Sequence, residues 1–424
     1  MDKLEIIGGS KLSGKIRIGG AKNAALPLMT ASLLTDTPLI LQNIPQLSDI
    51  ETLSGVLSSL GVHIEKNNNE ERTLTLHAKS LDNTHADYDL VRKMRASILV
   101  LGPLVSRHGA AEVSLPGGCA LGTRPVDLHI KGLEKMGAKI KLEDGYIRAT
   151  APKGGLKGAD IAFPLISVTG TENLMMAATL AKGTTRLINA AREPEVIDLA
   201  NCLNKMGAQI SGAGTDTVTI EGVSHLSGTT HAVIPDRIET GTYIAAAGIT
   251  NGTLELTHTD MGCLKTAISL FEDAGMAFTP TDAGFKTYRD PRQKRIKSVD
   301  MITEPYPGFP TDLQAQFMAL MTLAEGSANI TETIFENRFM HVAELVRMGA
   351  DIQIHGSTAT IRGKSHLVGA PVMATDLRAS ACLVLAGLVA RGKTTINRIY
   401  HLDRGYESME KKLSACGASI KRIA

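Results

Sequence analysis

Six times along this chain an apolar, helix-like stretch ends in glycine and runs straight into a strand-like stretch. The copies are Leu-Ser-Ser-Leu-Gly61-Val-His-Ile, Leu-Glu-Lys-Met-Gly137-Ala-Lys-Ile, Leu-Asn-Lys-Met-Gly207-Ala-Gln-Ile, Phe-Glu-Asp-Ala-Gly275-Met-Ala-Phe, Leu-Val-Arg-Met-Gly349-Ala-Asp-Ile and Leu-Ser-Ala-Cys-Gly417-Ala-Ser-Ile. Glycine just past a periodic apolar run is a helix stop, because it enters the left-handed conformation without steric cost. The glycines recur about every seventy residues, which suits one small α/β unit. A second register, Gly183, Gly252, Gly326 and Gly392, places another helix end before a β-rich run. Each unit therefore reads as β-α-β-α-β-β, and the fold class as α/β with six such repeats. A chain of 424 residues exceeds one ordinary core. Three units are expected on each side of a crossing near His231 to Pro235, with Leu4 to Ile18 read as one strand ending at Gly19-Gly20.

The same register removes a false lead. Gly387-Leu-Val-Ala-Arg-Gly392-Lys393-Thr394 satisfies the phosphate-loop pattern letter by letter. A phosphate loop follows a strand and opens a helix, so that helix N-terminal amides face the phosphate. Here Leu377 to Val389 is expected as helix and Thr394 to Ile399 as strand, the reverse order.

A net charge of +2, from 45 basic and 43 acidic residues, leaves no bulk field for nucleic acid or a membrane surface. Aromatics at 4 % with no Trp make base stacking an improbable mode of binding. Cysteines 119, 202, 263, 382 and 416 are scattered, and with no CxxC they suggest neither a zinc site nor a disulfide framework. Free thiols fit a reducing compartment. The opening Met-Asp-Lys-Leu-Glu lacks a signal-peptide pattern, and no apolar run is long enough to span a bilayer. A soluble cytoplasmic protein is expected.

The densest chemistry lies in Leu-Pro-Gly-Gly-Cys119-Ala-Leu-Gly-Thr-Arg124-Pro125-Val126-Asp127-Leu128-His129. Glycines around Cys119 let a ligand approach closely, and the arginine five residues on favours an anion or a developing thiolate. Further candidate motifs are Gly-Gly-Ala-Lys22-Asn23, Met-Arg95-Ala-Ser, Pro-Asp-Arg237-Ile-Glu-Thr-Gly and Pro-Gly-Phe-Pro-Thr-Asp312-Leu-Gln-Ala-Gln. They continue with Ile-Thr-Glu-Thr-Ile334-Phe-Glu-Asn-Arg-Phe, Ala-Thr-Asp376-Leu-Arg378-Ala-Ser and His-Leu-Asp403-Arg404-Gly-Tyr-Glu. Lys22, Arg95, Arg124 and Arg404 could surround a small polyanion, the arginines as planar forks and the lysine as a point charge. On the residues alone, the cap reading of Asp312 is favoured about two to one over a functional one, and Asp376 could likewise be only a cap.

In this order along most of the chain, these motifs resemble those of the enolpyruvyl transferase family, in the branch that acts on UDP-N-acetylglucosamine. The resemblance implies a two-lobed, inside-out α/β barrel, with residues 22–233 as the first lobe. The N-terminal segment 1–21 would return to join 234–424 in the second. It implies phosphoenolpyruvate and UDP-N-acetylglucosamine as substrates, addition followed by loss of phosphate, and no metal or redox cofactor. Lys22, Cys119, Asp312 and Arg404 become the expected catalytic residues. Cys119 would act as acid, covalent trap or product gate, and Asp312 as base or orienter for the sugar hydroxyl.

Sugar-nucleotide contacts carry over to Arg124, Pro125, Val126, Asp127, Leu128, Ser167, Val168, Thr169, Asp312 and Ile334. Asn23, Arg95, Asp376 and Arg378 join the substrate-binding set. The chain has Leu165 where some relatives carry Lys two residues before this serine. A sister transferase acting on shikimate 3-phosphate shares the architecture but lacks the cysteine loop, and carries Ser-Lys-Ser where this chain has Ala-Lys22-Asn23. The joint presence of Lys22, Cys119, Asp312, Arg378 and Arg404 speaks against an inactive paralogue that merely binds sugar nucleotides. Modest charge and few aromatics disfavour an RNA-end-processing enzyme built on a related repeat.

Overall fold

The computed structural model describes residues 2–67, 72–81, 83–92, 94–115 and 126–423. All six repeat glycines sit in the left-handed region, with φ between +90° and +104°. Each lies two residues beyond a helix: Ser48–Ser59, Asp127–Lys135, Pro194–Lys205, Lys265–Asp273, Met340–Arg347 and Met409–Ala415. The N–H groups of Val62, Ala138, Ala208, Ala350 and Ala418 reach back to the carbonyls of Leu57, Leu133, Leu203, Leu345 and Leu413 at 2.9–3.1 Å. This closure satisfies carbonyls that a helix end would otherwise leave open, and turns the chain into the next strand. The second register holds at Gly183, Gly326 and Gly392, with φ +91°, +95° and +89°, while near Gly252 the left-handed residue is Asn251 at φ +53°.

Among the described residues the strands form six four-stranded sheets. In each, one parallel pair is extended by two antiparallel partners, as in Asp160–Ala162 beside Thr184–Ile188, then Thr217–Glu221, then Gln209–Ser211. Helix and strand alternate so that β-α-β-α-β-β describes the repeat, and the fold is the inside-out α/β barrel. The phosphate-loop lookalike is indeed reversed: helix Leu377–Gly387 precedes strand Lys393–Asn397.

Leu4 to Ile18 is not one strand. Lys3–Ile7 lies between Lys393–Asn397 and Ser419–Ile423, while Ser13–Arg17 pairs with Thr253–Thr257 in another sheet. The break falls at Gly8-Gly9. A Cβ on Gly8 would meet the Ala390 carbonyl oxygen at 2.3 Å, and Gly9 turns at φ +106°.

By internal contacts the described residues divide into two units, one running through Gly19 and from Pro235 onward, the other covering 20–115 and 126–234. Each has its own apolar core. Two strands are exchanged where the chain crosses. Ser13–Arg17 precedes helix Lys22–Ala31 yet pairs with Thr253–Thr257, and Thr230–Ala232 precedes helix Arg237–Thr250 yet pairs with Leu39–Gln42. In the Gly20–Ile234 unit, Lys22–Ala31, Leu101–His108 and Val168–Ala178 supply the inner helices; in the other, Arg237–Thr250, Gln314–Met321 and Leu377–Gly387 do. Arg237–Thr250 and Gln314–Met321 are buried at every position, so the sheets wrap helices that have no solvent face. Candidate functional residues gather at the N-terminal ends of several of these helices.

Candidate functional site

In the unit containing Pro235 onward, Pro310 starts a short turn, Thr311–Leu313, that leads into helix Gln314–Met321. Asp312 in that turn directs its carboxylate at two guanidiniums. Its Oδ1 lies 2.9 Å from Arg338 Nη1 and its Oδ2 2.8 Å from Arg378 Nη2. The carboxylate is 26 % exposed, whereas the arginines are 7 % and 3 % exposed, so the anion faces solvent with the cations buried behind it. A carboxylate offers about four lone-pair positions, so it can accept from more donors than these two arginines.

Each arginine is anchored in turn. Arg338 Nη1 donates to Thr311 Oγ1 at 2.8 Å, and Thr311 donates to Glu332 at 2.8 Å. Glu332 is fully buried and also accepts from Thr303 Oγ1 and from the N–H groups of Ile334 and Phe335. Arg378 enters from the first turn of helix Leu377–Gly387, and its Nη1 donates to the Tyr406 hydroxyl at 3.3 Å. Burial works against its charge, but Asp312, Tyr406 and Asp236 outweigh that and push its pKa up, so it stays protonated. Burial pushes the Tyr406 phenol up despite Arg378, which leaves it neutral.

Asp376 caps the same helix. Its Oδ1 accepts from the N–H groups of Arg378 and Ala379 at 2.8 and 3.0 Å. Arg404 ends the 3₁₀ turn Ile399–Arg404 and is partly exposed, while the preceding Asp403 is held by Arg422 at 2.6 Å.

In the Gly20–Ile234 unit, Lys22 opens helix Lys22–Ala31, with partly buried Asn23 beside it. Lys22 Nζ pairs with Asp49 Oδ2 at 3.1 Å, both side chains being buried. Arg95 starts the 3₁₀ turn Arg95–Val100, which packs on the Lys22 helix. Ser167 caps helix Val168–Ala178, its Oγ accepting from Gly170 N–H at 3.1 Å. That helix N-terminus, with Thr169, is electropositive by its free amides.

Val126 and Leu128 flank the start of helix Asp127–Lys135, where Asp127 pairs with Lys131 at 3.0 Å. Next to them His129 is buried. Gly102 N–H donates to Asn173 Oδ1 at 2.8 Å, so the Asn173 amide nitrogen faces His129 Nδ1, also at 2.8 Å. The ring must accept there, which requires it to be neutral. Burial first, then Arg95, pushes its pKa down to about 4.

The structure thus joins Asp312 to Arg378 and leaves Asp376 as a helix cap. Ile334 is placed through its N–H on Glu332. Cys119, Arg124 and Pro125 lie outside the described residues. Asp49, Arg338, Glu332 and Tyr406 were not singled out from sequence, although the last three stand inside the motifs around Ile334 and Arg404. Their signal there was a charged or phenolic side chain beside turn residues, which says nothing of its partner. Among the described residues no group of three His, Cys, Asp or Glu is placed to hold a metal ion, and no helix is long and apolar enough to cross a membrane.

Comparison with known proteins places this geometry. Residues 6–413 match the family model of EPSP synthase (3-phosphoshikimate 1-carboxyvinyltransferase). The UDP-N-acetylglucosamine 1-carboxyvinyltransferase of Rhodospirillum centenum is 58 % identical over 430 residues, covering 100 % of this chain and 99 % of that protein. The enzyme of the same name from Rhizobium etli is 56 % identical, with 100 % of both chains covered. Among solved structures, the enolpyruvyl transferase NikO from Streptomyces tendae superposes with a TM-score of 0.89 at 27 % identity, covering 100 % of this chain and 99 % of that one. EPSP synthase from Acinetobacter baumannii, at 18 % identity and a TM-score of 0.78 with both chains fully covered, shares the fold. The chain belongs to the EPSP synthase family of enolpyruvyl transferases, within its UDP-N-acetylglucosamine 1-carboxyvinyltransferase branch.

Proposed function

We propose that this protein transfers the enolpyruvyl group of phosphoenolpyruvate to the 3-hydroxyl of UDP-N-acetylglucosamine and releases phosphate, the first committed step of peptidoglycan synthesis. The sugar oxygen attacks C2 of phosphoenolpyruvate while its proton passes to a base, and C3 takes a proton from an acid. Loss of a C3 proton then expels phosphate from C2 and restores the double bond. The observation that carries the reading is the Asp312 carboxylate, open to solvent yet held on both oxygens by buried guanidiniums. A group so fixed accepts a hydroxyl hydrogen bond without reorganising, which is where an addition to C2 needs orientation.

In this reading Asp312 is the base or orienter of the 3-hydroxyl, and Cys119 the acid, covalent trap or product-release gate. Lys22, Arg95, Arg124 and Arg404 hold the phosphate and carboxylate of phosphoenolpyruvate. Asn23, Arg124, Pro125, Val126, Asp127, Leu128, Ser167, Val168, Thr169 and Ile334 receive the sugar nucleotide. Thr169 and its neighbours at the helix N-terminus suit a diphosphate. Asp376 sets the helix that presents Arg378. The lobes are 22–233 on one side, and 1–21 with 234–424 on the other. Free thiols at Cys202, Cys382 and Cys416 support a cytoplasmic location.

The test is phosphate release from phosphoenolpyruvate with UDP-N-acetylglucosamine or shikimate 3-phosphate as acceptor, for wild type and Cys119→Ala. Release with the sugar nucleotide alone, sharply reduced in the variant, is expected. Release with shikimate 3-phosphate moves the assignment to the sister enzyme, and silence with both overturns it.

A further inference from the structure

We infer that Tyr406 is a positioning residue for Asp312, acting through Arg378 and Gln316. Four hydrogen bonds close a ring: the Asp312 carboxylate accepts from Arg378, Arg378 donates to the Tyr406 hydroxyl, that hydroxyl accepts from Gln316 Nε2, and Gln316 Nε2 donates to the Asp312 carbonyl. The lengths are 2.8, 3.3, 2.9 and 3.0 Å. Tyr406 therefore meets Asp312 from both its side-chain and its main-chain ends.

Proton directions around the hydroxyl are set by its neighbours. Thr242 donates its own hydrogen to the Ile238 carbonyl at 2.8 Å, so its oxygen accepts from Tyr406 at 2.9 Å. That oxygen also lies 3.1 Å from Gln316 Nε2, whose two hydrogens have the nearer Tyr406 hydroxyl and Asp312 carbonyl as acceptors. The Tyr406 oxygen is then free to accept from both Gln316 and Arg378, which uses its full capacity. Tyr406 is 1 % exposed and its ring lies 5.6 Å from the Arg378 guanidinium carbon, which leaves that side chain little freedom to turn away from Asp312. A tyrosine kept only for packing would not need its hydroxyl, since phenylalanine fills the same space without a polar group to satisfy.

Among the described residues, Arg338 and Arg378 meet the Asp312 carboxylate directly; Glu332 reaches Arg338 through Thr311, Tyr406 and Asp236 act on Arg378, and His341 lies in the field of Asp376 and Arg338. Of these, the Tyr406 hydroxyl bonds both Arg378 and the amide that holds the Asp312 main chain. Losing it loosens the Arg378 contact, and a carboxylate with one less secure cation holds its proton to higher pH.

The inference rests on the reading of Asp312 as base or orienter. Tyr406→Phe keeps the ring and removes the hydroxyl. It is expected to lower kcat about tenfold with KM for phosphoenolpyruvate little changed, and to move the acid limb of the kcat/KM profile upward by about half a pH unit. Gln316→Leu, which cuts the main-chain arm, shifts the limb the same way and serves if Tyr406→Phe does not fold. An unmoved acid limb in both variants, with activity lost only in step with thermal stability, overturns the positioning role. Asp312→Asn separates the two ideas. If the wild-type limb persists in it, the reading of Asp312 fails; if that limb disappears but Tyr406→Phe leaves it unmoved, only the inference fails.

Discussion

Asp312 and Arg378 stand 66 positions apart in the chain and 2.8 Å apart in the structure, the carboxylate of one against the guanidinium of the other. Arg338 closes on the opposite carboxylate oxygen at 2.9 Å. Two buried cations thus converge on one partly exposed anion, and the consequences are measurable.

Replacing Asp312 with Ala removes the partner of both guanidiniums at once. Leaving buried charge uncompensated costs about 3 kcal/mol or more, whereas substituting both members of a pair costs far less. Urea unfolding should therefore show Asp312→Ala strongly destabilised and Asp312→Ala with Arg378→Met partly restored, although neither turns over. Equal stabilities for wild type and the single variant would show that the contacts contribute nothing to the fold.

His129 makes the stability of its unit pH-dependent. Its pKa lies at about 4 in the folded chain against 6.5 when free, so between those values the unfolded chain binds the extra proton. Its contribution is complete above pH 6.5 and is lost as the pH falls toward 4, by about 2–3 kcal/mol. Buried Glu172, whose pKa is raised by burial and by Glu195 and Glu193, acts with the opposite sign as the pH rises above 4.5. The readout is accordingly the difference between wild type and His129→Asn. Unfolding midpoints of the two should converge as the pH drops from 7.5 to 4, and parallel curves would refute a neutral buried ring.

Two glycines separate backbone strain from steric collision. Gly349 has φ +90° and open space where a Cβ would stand. Gly349→Ala should cost about 1–2 kcal/mol, the strain of a left-handed L-residue. At Gly20 a Cβ would lie 1.9 Å from the Asn43 carbonyl oxygen, so the backbone itself must move. Gly20→Ala is expected to lower the melting temperature more than Gly349→Ala does, and the reverse order would contradict this packing.

Thiol reactivity should divide the cysteines. Burial pushes Cys202 up to about 12, and raises Cys382 and Cys416 as well, so these thiols carry little thiolate at neutral pH. Brief native alkylation at pH 7.5, read by peptide mass spectrometry, is expected to modify Cys119 first and leave Cys202 and Cys382 intact. An epoxide reagent with UDP-N-acetylglucosamine present should mark the same residue. Rapid labelling of Cys382 would show that its helix opens far more readily than its packing implies.

Much of the architecture was legible because its signals are local. A glycine that ends a helix meets a requirement set within one turn, so six such glycines announced six repeats, and all six hold the left-handed conformation. The helix-then-strand order at Leu377 to Asn397 was readable for the same reason. Leu4 to Ile18 was misjudged because an apolar extended run does not reveal which sheet each half joins. The close approach of Ala390 to Gly8 and the left-handed turn at Gly9 mark the break. Lys22 read as a cation for an anionic ligand, and its ion pair with Asp49 on another helix was not legible. Arg338, Glu332 and Tyr406 passed unnoticed because a polar side chain is unremarkable until its burial and its partner are known.

By itself the sequence determined the repeat, the order of helices and strands within it, and a set of motifs matching one family, since turns, caps and apolar periodicity are short-range properties. The tertiary structure alone decided which strands cross-pair at the two chain crossings and which inner helices lose every solvent face. It also decided that Asp312 sits between Arg338 and Arg378 on supports from Glu332 and Tyr406. These depend on contacts between residues tens to hundreds of positions apart, where burial makes each charge require its partner.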